Sequence, residues 1–224
     1  MTDIDFIEGE IICIDKDLEW TSFDVVKKIR GALRIKKIGH AGTLDPLATG
    51  LLILCTGKKT KTINQFMEAE KEYTGKMILG KTTPSYDLET EVDSEHDISH
   101  LNEEEIRKAT EPFKGNIMQR PPVFSAIRID GKRSYKLARK GKEVEIEPRP
   151  VVIYEFEVSD MQLPEVSFRV VCSKGTYIRS LIHDLGQSLG VGAYLSELRR
   201  TRIGDHKVED AFHVKDYINH VKEA

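Results

Sequence analysis

The chain has 224 residues, enough for one large domain or two small ones, and this length needs no disulfide or metal to build a core. Hydrophobic residues make up 39% and charged residues 32%, which indicates a globular protein and excludes disordered and collagen-like classes. The longest apolar run, Leu51–Cys55, is far shorter than the ~20 residues of a membrane-spanning helix. We therefore expect no membrane association.

The terminal sequence and the cysteines predict the compartment. The first residues are acidic, whereas a secretory or transit peptide would be basic, so we expect a cytoplasmic protein. Three cysteines (Cys13, Cys55 and Cys172) are widely spaced among apolar neighbours. Their odd number and spacing favour buried reduced thiols over redox or metal-binding roles.

The formal net charge of −3 conceals a strong segregation of charge. Residues 1–24 and 87–111 are strongly acidic, whereas residues 114–142 hold nine cations against Asp130 alone. Residues 27–37 add six cations with no acid, and residues 169–202 add a third basic segment. A single charged block is usually a solvated face, but three basic blocks in one chain favour a polyanionic partner with a phosphate backbone.

In chain order, residues 9–15 read as a strand, and Thr21-Ser22 begins a helix with apolar residues at every fourth position. A glycine-rich loop over 39–50 precedes a buried strand at 51–55, and a lysine-rich helical turn follows Gly57. Residues 71–79 form the next predicted strand.

In the second half, residues 82–101 read as polar turns, and Asn102 caps a helix with three acids in its first turn. Asp130-Gly131 predicts a hairpin turn, followed by a helix over 133–141. Further predictions are two antiparallel strands, a helix opening at Thr176, a strand and a tail helix (151–158, 166–172, 176–190, 194–202 and 213–222). The order predicts one α+β domain over 1–224, with an inserted arm at about 100–150.

The segment Gly39-His40-Ala41-Gly42-Thr43-Leu44-Asp45-Pro46-Leu47-Ala48-Thr49-Gly50 is the most unusual in the chain. On spacing alone, Asp45 before Pro46 is also a good helix start, and the glycines can be loop residues. The functional interpretation is that the glycines admit a close backbone or substrate while Asp45 projects a carboxylate between Leu44 and Leu47. Such a shielded carboxylate needs a cation to stay ionised.

Arg179 is a candidate for that cation, because it falls in the first turn of the predicted helix after Cys172-Ser173-Lys174-Gly175-Thr176-Tyr177-Ile178. Taken locally, it would more often be a surface or helix-pairing arginine. A bidentate pair with Asp45 would fix the geometry of the carboxylate and hold down its pKa.

Four ordered motifs resemble the TruB family of tRNA pseudouridine synthases from about residue 9 to 210. They are GHAGTLDPLATG, KEYTG at 71–75, QRPPVFSAIRIDGKRSYKLARKG at 119–141 and CSKGTYIRSLIHDLG at 172–186. The resemblance implies a pseudouridine synthase fold, with a mixed, largely antiparallel sheet flanked by helices and a basic thumb. It also implies isomerisation of the uridine at position 55 in the T-arm loop of tRNA.

The resemblance implies roles for individual residues. Asp45 matches the catalytic aspartate, Tyr73 the active-site tyrosine and Arg179 the arginine paired with the aspartate. His40 matches the histidine that supports the everted loop nucleotides. Taken singly, Tyr73 and His40 would more often be structural. The resemblance further implies that Tyr177 and Leu198 line the uridine pocket, and the basic arm, including Lys132, Arg133 and Arg139, would bind the RNA.

Two departures from the family pattern stand out. The usual opening D-K-P-x-G-x-T-S here reads Asp15-Lys16-Asp17-Leu18-Glu19-Trp20-Thr21-Ser22, without the proline and the glycine. We also expect no carboxy-terminal PUA domain, so affinity for tRNA would rest on the catalytic domain and the thumb.

The chemistry implied needs no cofactor and no metal, and the sequence contains no H-E-x-x-H or CxxC motif. His96 and His100 are four residues apart, but in their polar acidic segment a solvated loop is favoured over a metal-ligand pair. Asp45 would act as a nucleophile at the sugar or the base, or stabilise charge as the glycosidic bond opens. The partner is the T-arm stem-loop of tRNA, and no protein partner is implied. Two alternatives stay open: an RNA-binding module without catalysis, and a hydrolase that pairs Asp45 with a second carboxylate.

Overall fold

The computed structural model describes residues 5–125, 128–129, 132–134 and 146–223. For residues 128, 129, 132 and 133 it describes the backbone alone. The chain divides into two compact units, one formed by residues 1–74 and 198–224 and the other by residues 75–197. The unit boundaries fall within two strands, Lys71–Leu79 and Ala193–Ile203.

The first unit combines a sheet with three helices. Its elements are β1 (Ile11–Lys16), α1 (Ser22–Leu33), β2 (Ile38–Ala41), β3 (Ala48–Thr56), α2 (Ile63–Glu68), the start of β4 (Lys71–Leu79), the end of β12 (Ala193–Ile203), β13 (His206–Lys207), β14 (Phe212–His213) and α5 (Val214–Glu223). The sheet is ordered β14-β1-β3-β12, and β2 also pairs with β3. The pairs β1–β3, β2–β3 and β12–β13 are antiparallel, whereas β1–β14 and β3–β12 are parallel.

The central strand β3 explains why the run Leu51–Cys55 is apolar throughout. Leu52 and Leu54 pack in a core with residues of α1 and α5, whereas Leu51, Ile53 and Cys55 pack in a second core that α2 borders. Because side chains alternate across a strand, a strand covered on both faces must be continuously hydrophobic. The predicted buried strand is confirmed.

In its described residues, the second unit contains a sheet ordered β4-β11-β10-β7 and two complete helices. Strand β10 pairs antiparallel with both β11 and β7. The elements are the end of β4, β5 (Lys81–Thr82), β6 (Ser94–Glu95), α3 (Glu103–Thr110), β7 (Gly115–Gln119), β8 (Arg128–Ile129), β9 (Lys132–Arg133), β10 (Arg149–Gln162), β11 (Glu165–Cys172), α4 (Ile178–Ser188) and the start of β12.

Helix starts were predicted well where a cap marks them. Thr21 and Asp24 form a capping box at the start of α1, and Asn102 and Glu105 form another at α3. The start of α4 differs from the prediction: the hydroxyl of Thr176 donates to the carbonyl of Ser173, and the helix begins at Ile178. The N-cap residue is therefore Tyr177, whose side chain makes no capping hydrogen bond.

The mixed, largely antiparallel sheet with helices confirms the predicted α+β fold class. The predicted hairpin is confirmed by the antiparallel pairing of Arg128 with Arg133 and Ile129 with Lys132. Its turn residues 130–131 and most of the predicted helix over 133–141 lie outside the described residues. Two cysteines, Cys55 and Cys172, are buried and Cys13 is half-buried, and none of the three forms a disulfide. No helix in the described ranges has the length and apolarity to cross a bilayer.

Candidate active site

Asp45 lies half-buried in the loop between β2 and β3 of the first unit. The amide of Ala48 donates to its carbonyl at 3.0 Å, which closes a turn over Pro46 and Leu47, and a strand follows at once. The alternative interpretation, that Asp45 caps a helix, is therefore wrong. The backbone of Asp45 forms a turn that leads into a strand and does not start a helix.

The start of α1 fixes the loop residue before Asp45. The hydroxyl of Ser22, 2% exposed, accepts from the amide of Leu44 at 2.9 Å and donates to its carbonyl at 3.3 Å. The two bonds satisfy a buried peptide unit that β pairing does not reach. The same loop binds the opening motif, because the amide of Glu19 donates to the carbonyl of Pro46 at 2.8 Å.

Lys16 is a fully buried cation near this loop. Its ammonium donates to the carbonyls of Asp17, Trp20 and Pro46 at 2.9, 2.7 and 3.4 Å. Burial lowers the pKa of Lys16 to about 8, against the attraction of the Asp17 and Asp45 carboxylates. Lys16 therefore adds positive potential close to Asp45 at neutral pH.

Arg200 is the largest fully buried side chain in the described residues, at 1% exposure. Its guanidinium donates to the carbonyls of Leu51 and Gly42 at 2.8 and 3.2 Å. A Cβ at Gly50, whose φ is +100°, would lie 2.3 Å from the carbonyl oxygen of Arg200, so only glycine lets β3 approach β12 there. The expectation that glycines admit a close backbone is confirmed at Gly50.

His40, in β2, is half-buried, and its Nδ1 atom is buried without a hydrogen-bond partner among the described residues. Burial, with a smaller contribution from the positive charge of Arg200, lowers its pKa. The ring is therefore neutral at physiological pH.

Two further predicted residues lie in the first unit with Asp45 and His40. Tyr73 is half-buried in β4, where its neighbour Lys71 donates to three carbonyls at the end of α2. Leu198 is half-buried in β12 and pairs with Ala48, three residues after Asp45. The lysine of the KEYTG motif therefore has a structural role that sequence reasoning did not assign.

The opening motif keeps its aspartate in an ion pair. Both carboxylate oxygens of Asp15 accept from Arg199 at 3.0 and 2.6 Å, a bidentate pair with a side chain of β12. Leu18 is exposed, and Glu19 has a φ of +66°, a left-handed conformation that glycine adopts without strain. Glu19 therefore adopts a conformation suited to glycine at the position where the motif usually has glycine.

Arg179 is 4% exposed in the first turn of α4, in the second unit. Its guanidinium donates to the carbonyls of Ser85 and Phe124 at 3.2 and 3.0 Å, and its Nε lies 3.5 Å from a carboxylate oxygen of Asp87. The local alternative of a surface arginine is wrong. Its expected pairing with Asp45 stays a prediction.

Asp87 was missed by the sequence analysis, which read its segment as polar turns. The carboxylate is buried and accepts from the amide of Glu89 at 2.9 Å. The hydroxyls of Thr83 and Ser85 donate to its carbonyl at 2.7 and 3.2 Å. The only signal in the sequence is the density of threonine and serine around one acid, which is typical of a loop that satisfies its own backbone.

Tyr177 occupies the N-cap position of α4 and is held by its backbone. Its backbone amide donates to the side-chain oxygen of Gln119 at 2.8 Å, and its backbone carbonyl accepts from the side-chain nitrogen of Gln119 at 3.0 Å. The guanidinium of Arg149 lies 5.0 Å from the centre of the tyrosine ring. The backbone of Tyr177 is thus held at the start of α4 by Gln119, the last residue of β7.

The predicted thumb residues are only partly described. Lys132 and Arg133 form β9, of which the backbone alone is described, and Arg139 lies outside the described residues. In the described part of the chain, no group of three or more histidine, cysteine, aspartate or glutamate side chains could hold a metal ion.

Comparisons with known proteins connect this geometry to a family. Residues 30–178 match the family described as TruB family pseudouridylate synthase (N terminal domain), and residues 179–223 match the tRNA pseudouridylate synthase B C-terminal domain. The chain is 52% identical to the tRNA pseudouridine synthase B of Flavobacterium johnsoniae, covering 96% of each, and 51% identical to that of Phocaeicola vulgatus, covering 96% of this chain and 94% of the relative.

Solved structures give the same result for the fold. A chain in a Cbf5-Nop10-Gar1 complex has a TM-score of 0.73 at 33% identity, and a chain in an H/ACA RNP bound to a substrate RNA containing 2'-deoxyuridine has 0.72 at 32%. Each match covers 96% of this chain but 54% of the solved chain, so this chain spans about half the length of those relatives.

Proposed function

This chain belongs to the TruB family of tRNA pseudouridine synthases, which isomerise uridine to pseudouridine, and we propose that its substrate is the uridine at position 55 in the T-arm loop of tRNA. The observation that carries the proposal is the half-buried carboxylate of Asp45, in a loop held by Ser22 and close to the buried ammonium of Lys16. A base in a folded loop must be everted before a side chain can reach it, at a cost of a few kcal/mol.

The reaction breaks the bond between N1 of uracil and C1′ of the ribose, rotates the base and rejoins it through C5. The proton on C5 leaves and N1 gains one, so the reaction needs no oxidant and no water. Asp45 either attacks the sugar or the base as a nucleophile, or stabilises the positive charge that develops at the sugar. Arg179 pairs with this carboxylate and fixes its orientation, because a guanidinium can bind both oxygens of a carboxylate.

The remaining residues bind the nucleotide. Tyr73 stacks on the uracil and brings a hydroxyl near the atoms that exchange protons. Tyr177 and Leu198 exclude water, which would otherwise trap the opened intermediate and convert an isomerase into a hydrolase. His40, whose lowered pKa keeps the ring neutral, supports the everted nucleotides of the loop.

The basic arm binds the sugar-phosphate backbone of the RNA. Lys132, Arg133 and Arg139 contact phosphates, so affinity falls steeply with salt concentration. Replacing these three with glutamate lowers affinity for tRNA more than turnover at saturating tRNA. Since the substrate is tRNA, we place the enzyme in the cytoplasm.

The test measures tritium release from C5-labelled uridine in a T-arm stem-loop. Asp45→Asn abolishes release, whereas Asp205→Asn, an exposed carboxylate of the same unit, leaves it unchanged. A stem-loop with cytidine at position 55 gives no pseudouridine. Substantial release by Asp45→Asn would overturn the proposal, RNA binding without release by the unaltered protein would favour the non-catalytic module, and free uracil would favour a hydrolase.

A further inference from the structure

Helix α1 carries a stripe of exposed aromatic and cationic side chains that the proposed function does not use. Phe23, Lys27, Arg30 and Arg34 are separated by four, three and four residues. At 3.6 residues per turn, Phe23, Lys27 and Arg30 lie on one face within about 60° of arc, and Arg34 follows as the C-cap residue directly after the helix. Phe23 is 59% exposed and the three cations are exposed, while the opposite face packs into the core through Val25, Val26 and Ile29. We call these four residues the α1 stripe.

The cations of the α1 stripe form no ion pair with a carboxylate in the described part of the chain, although the charge of Lys27 acts on Asp24. In the described ranges of the chain, no carboxylate lies within 4 Å of the charged atoms of Lys27, Arg30 or Arg34, whereas many cations elsewhere form ion pairs. The neighbouring Asp24 is bound by the backbone amide and hydroxyl of Thr21 at 3.0 and 2.5 Å. Among the described residues, the stripe therefore carries three exposed cations outside any ion pair, on a protein of net negative charge.

Arg34 provides a second, independent observation. It ends α1 with φ +53° and ψ +35°, a left-handed conformation in which glycine is the usual residue. A side chain with a Cβ costs roughly 1 kcal/mol there relative to glycine. The stripe therefore continues past the end of the helix at some cost in stability, which suggests that the cation is kept for binding.

We propose that the α1 stripe binds the sugar-phosphate backbone of tRNA beside the target uridine, with the cations on phosphates and Phe23 stacked on an unpaired base. The location rests on the proposed role of Asp45: α1 begins at Ser22, which bonds to the residue before Asp45, and runs about 18 Å from there. An RNA strand that presents a nucleotide to this loop can continue along the helix. An exposed phenylalanine next to cations suits RNA, because unpaired bases stack on aromatic rings.

A purely structural explanation covers only part of the stripe. Cations near the end of a helix favourably oppose its dipole, which accounts for Arg30 and Arg34. Lys27 lies in the middle of α1, where the dipole gives no such benefit, and exposed Phe23 contributes no core packing. Binding of RNA accounts for all four positions.

The experiment compares two triple variants that lose the same charge. Lys27→Gln/Arg30→Gln/Arg34→Gln removes the stripe, and Lys207→Gln/Lys215→Gln/Lys222→Gln removes three exposed cations elsewhere in the same unit. Dissociation constants for tRNA are measured from 50 to 200 mM salt. The stripe variant is expected to lose at least tenfold in affinity and to reduce the salt slope by about two to three, since each phosphate contact contributes roughly 0.7 to 0.9.

The expected result for the control variant is an affinity within twofold of the unaltered protein. Turnover at saturating tRNA stays unchanged in both, which separates this proposal from the role of Asp45. An unchanged affinity and salt slope in the stripe variant would overturn the proposal, as would an equal loss in the control or a loss confined to turnover.

Two single variants test whether a loss of affinity for tRNA is caused by a loss of folding stability. Arg34→Gly relieves the left-handed conformation, so its thermal midpoint does not fall while its affinity for tRNA drops several-fold. Phe23→Ala removes an exposed ring, so stability is kept and affinity drops. If both variants bound tRNA like the unaltered protein, the stripe would not be a binding surface.

Discussion

The ring of Tyr86 stacks on the imidazole of His183, with centroids 3.7 Å apart and planes 16° from parallel. Tyr86 lies between Ser85 and Asp87, both of which contact Arg179, and its φ is +64°. His183 is four residues after Arg179 on α4. The stack therefore ties a strained loop residue to the helix that carries the arginine.

Two substitutions of Tyr86 distinguish the stability gained from its stack on His183 from the stability lost to its left-handed backbone. Tyr86→Ala loses the stack and keeps the left-handed conformation, so we expect the free energy of unfolding to fall by about 1–3 kcal/mol. Tyr86→Gly loses the same contact but adopts the conformation freely, so it should be the more stable of the two. Denaturant unfolding measures the difference, and Tyr154→Ala, at an exposed tyrosine, is the control. An alanine variant as stable as the glycine variant would show that the loop is not strained.

Asp87 is expected to matter for both stability and turnover. Asp87→Asn keeps the size of the side chain but removes a buried negative charge 3.5 Å from Arg179, which should cost about 3 kcal/mol of stability. Turnover should fall as well, because the guanidinium loses a contact that orients it. Glu91→Gln, at an exposed acid of the same unit, controls for the loss of charge alone.

Chemical denaturation and single-turnover kinetics with tRNA test both parts. The prediction would be contradicted if Asp87→Asn matched Glu91→Gln in both measurements.

Local signals allowed much of the fold to be predicted, whereas contacts between distant residues did not leave such signals. The capping boxes at Thr21 and Asn102 and the continuous apolar run of β3 mark their elements directly. Lys16 and Arg200 read as ordinary charged residues, because only the fold shows that backbone carbonyls surround them. A buried cation leaves no pattern in the sequence when its partners are main-chain atoms.

The residues of the candidate site also differ in whether the sequence indicates them. Asp45, Tyr73 and Arg179 are proposed as site residues because they match motifs in the sequence. Asp87 could not be found in this way, because its loop depends on hydroxyls of Thr83 and Ser85 that meet only after the chain turns back. Turn-rich composition predicts a loop but does not indicate which side chain it buries.

Asp184 makes stability depend on pH. Burial raises the pKa of this carboxyl to about 6, above its usual value of 3.8, so between these values the folded state binds more protons than the unfolded state. Its contribution therefore becomes less favourable as pH rises from 4 to 6. Asp184→Asn should match the unaltered protein at pH 4 and exceed its stability at pH 7 by on the order of 1–2 kcal/mol. Unfolding curves at both values measure this, and a pH-independent difference would contradict the assignment.

Glu19 offers the clearest route to a more stable protein. Its φ of +66° falls where the family usually has glycine, and its amide is bonded to the carbonyl of Pro46 beside Asp45. Glu19→Gly removes the left-handed strain of roughly 1–2 kcal/mol but adds freedom to the unfolded chain worth about 0.5–1 kcal/mol, so we expect a net gain of about 0.5–1 kcal/mol. Glu19→Ala loses the same charge and keeps the strain, so its stability should stay near that of the unaltered protein. Equal gains in the two variants would mean that the charge of Glu19, and not its backbone conformation, limits stability.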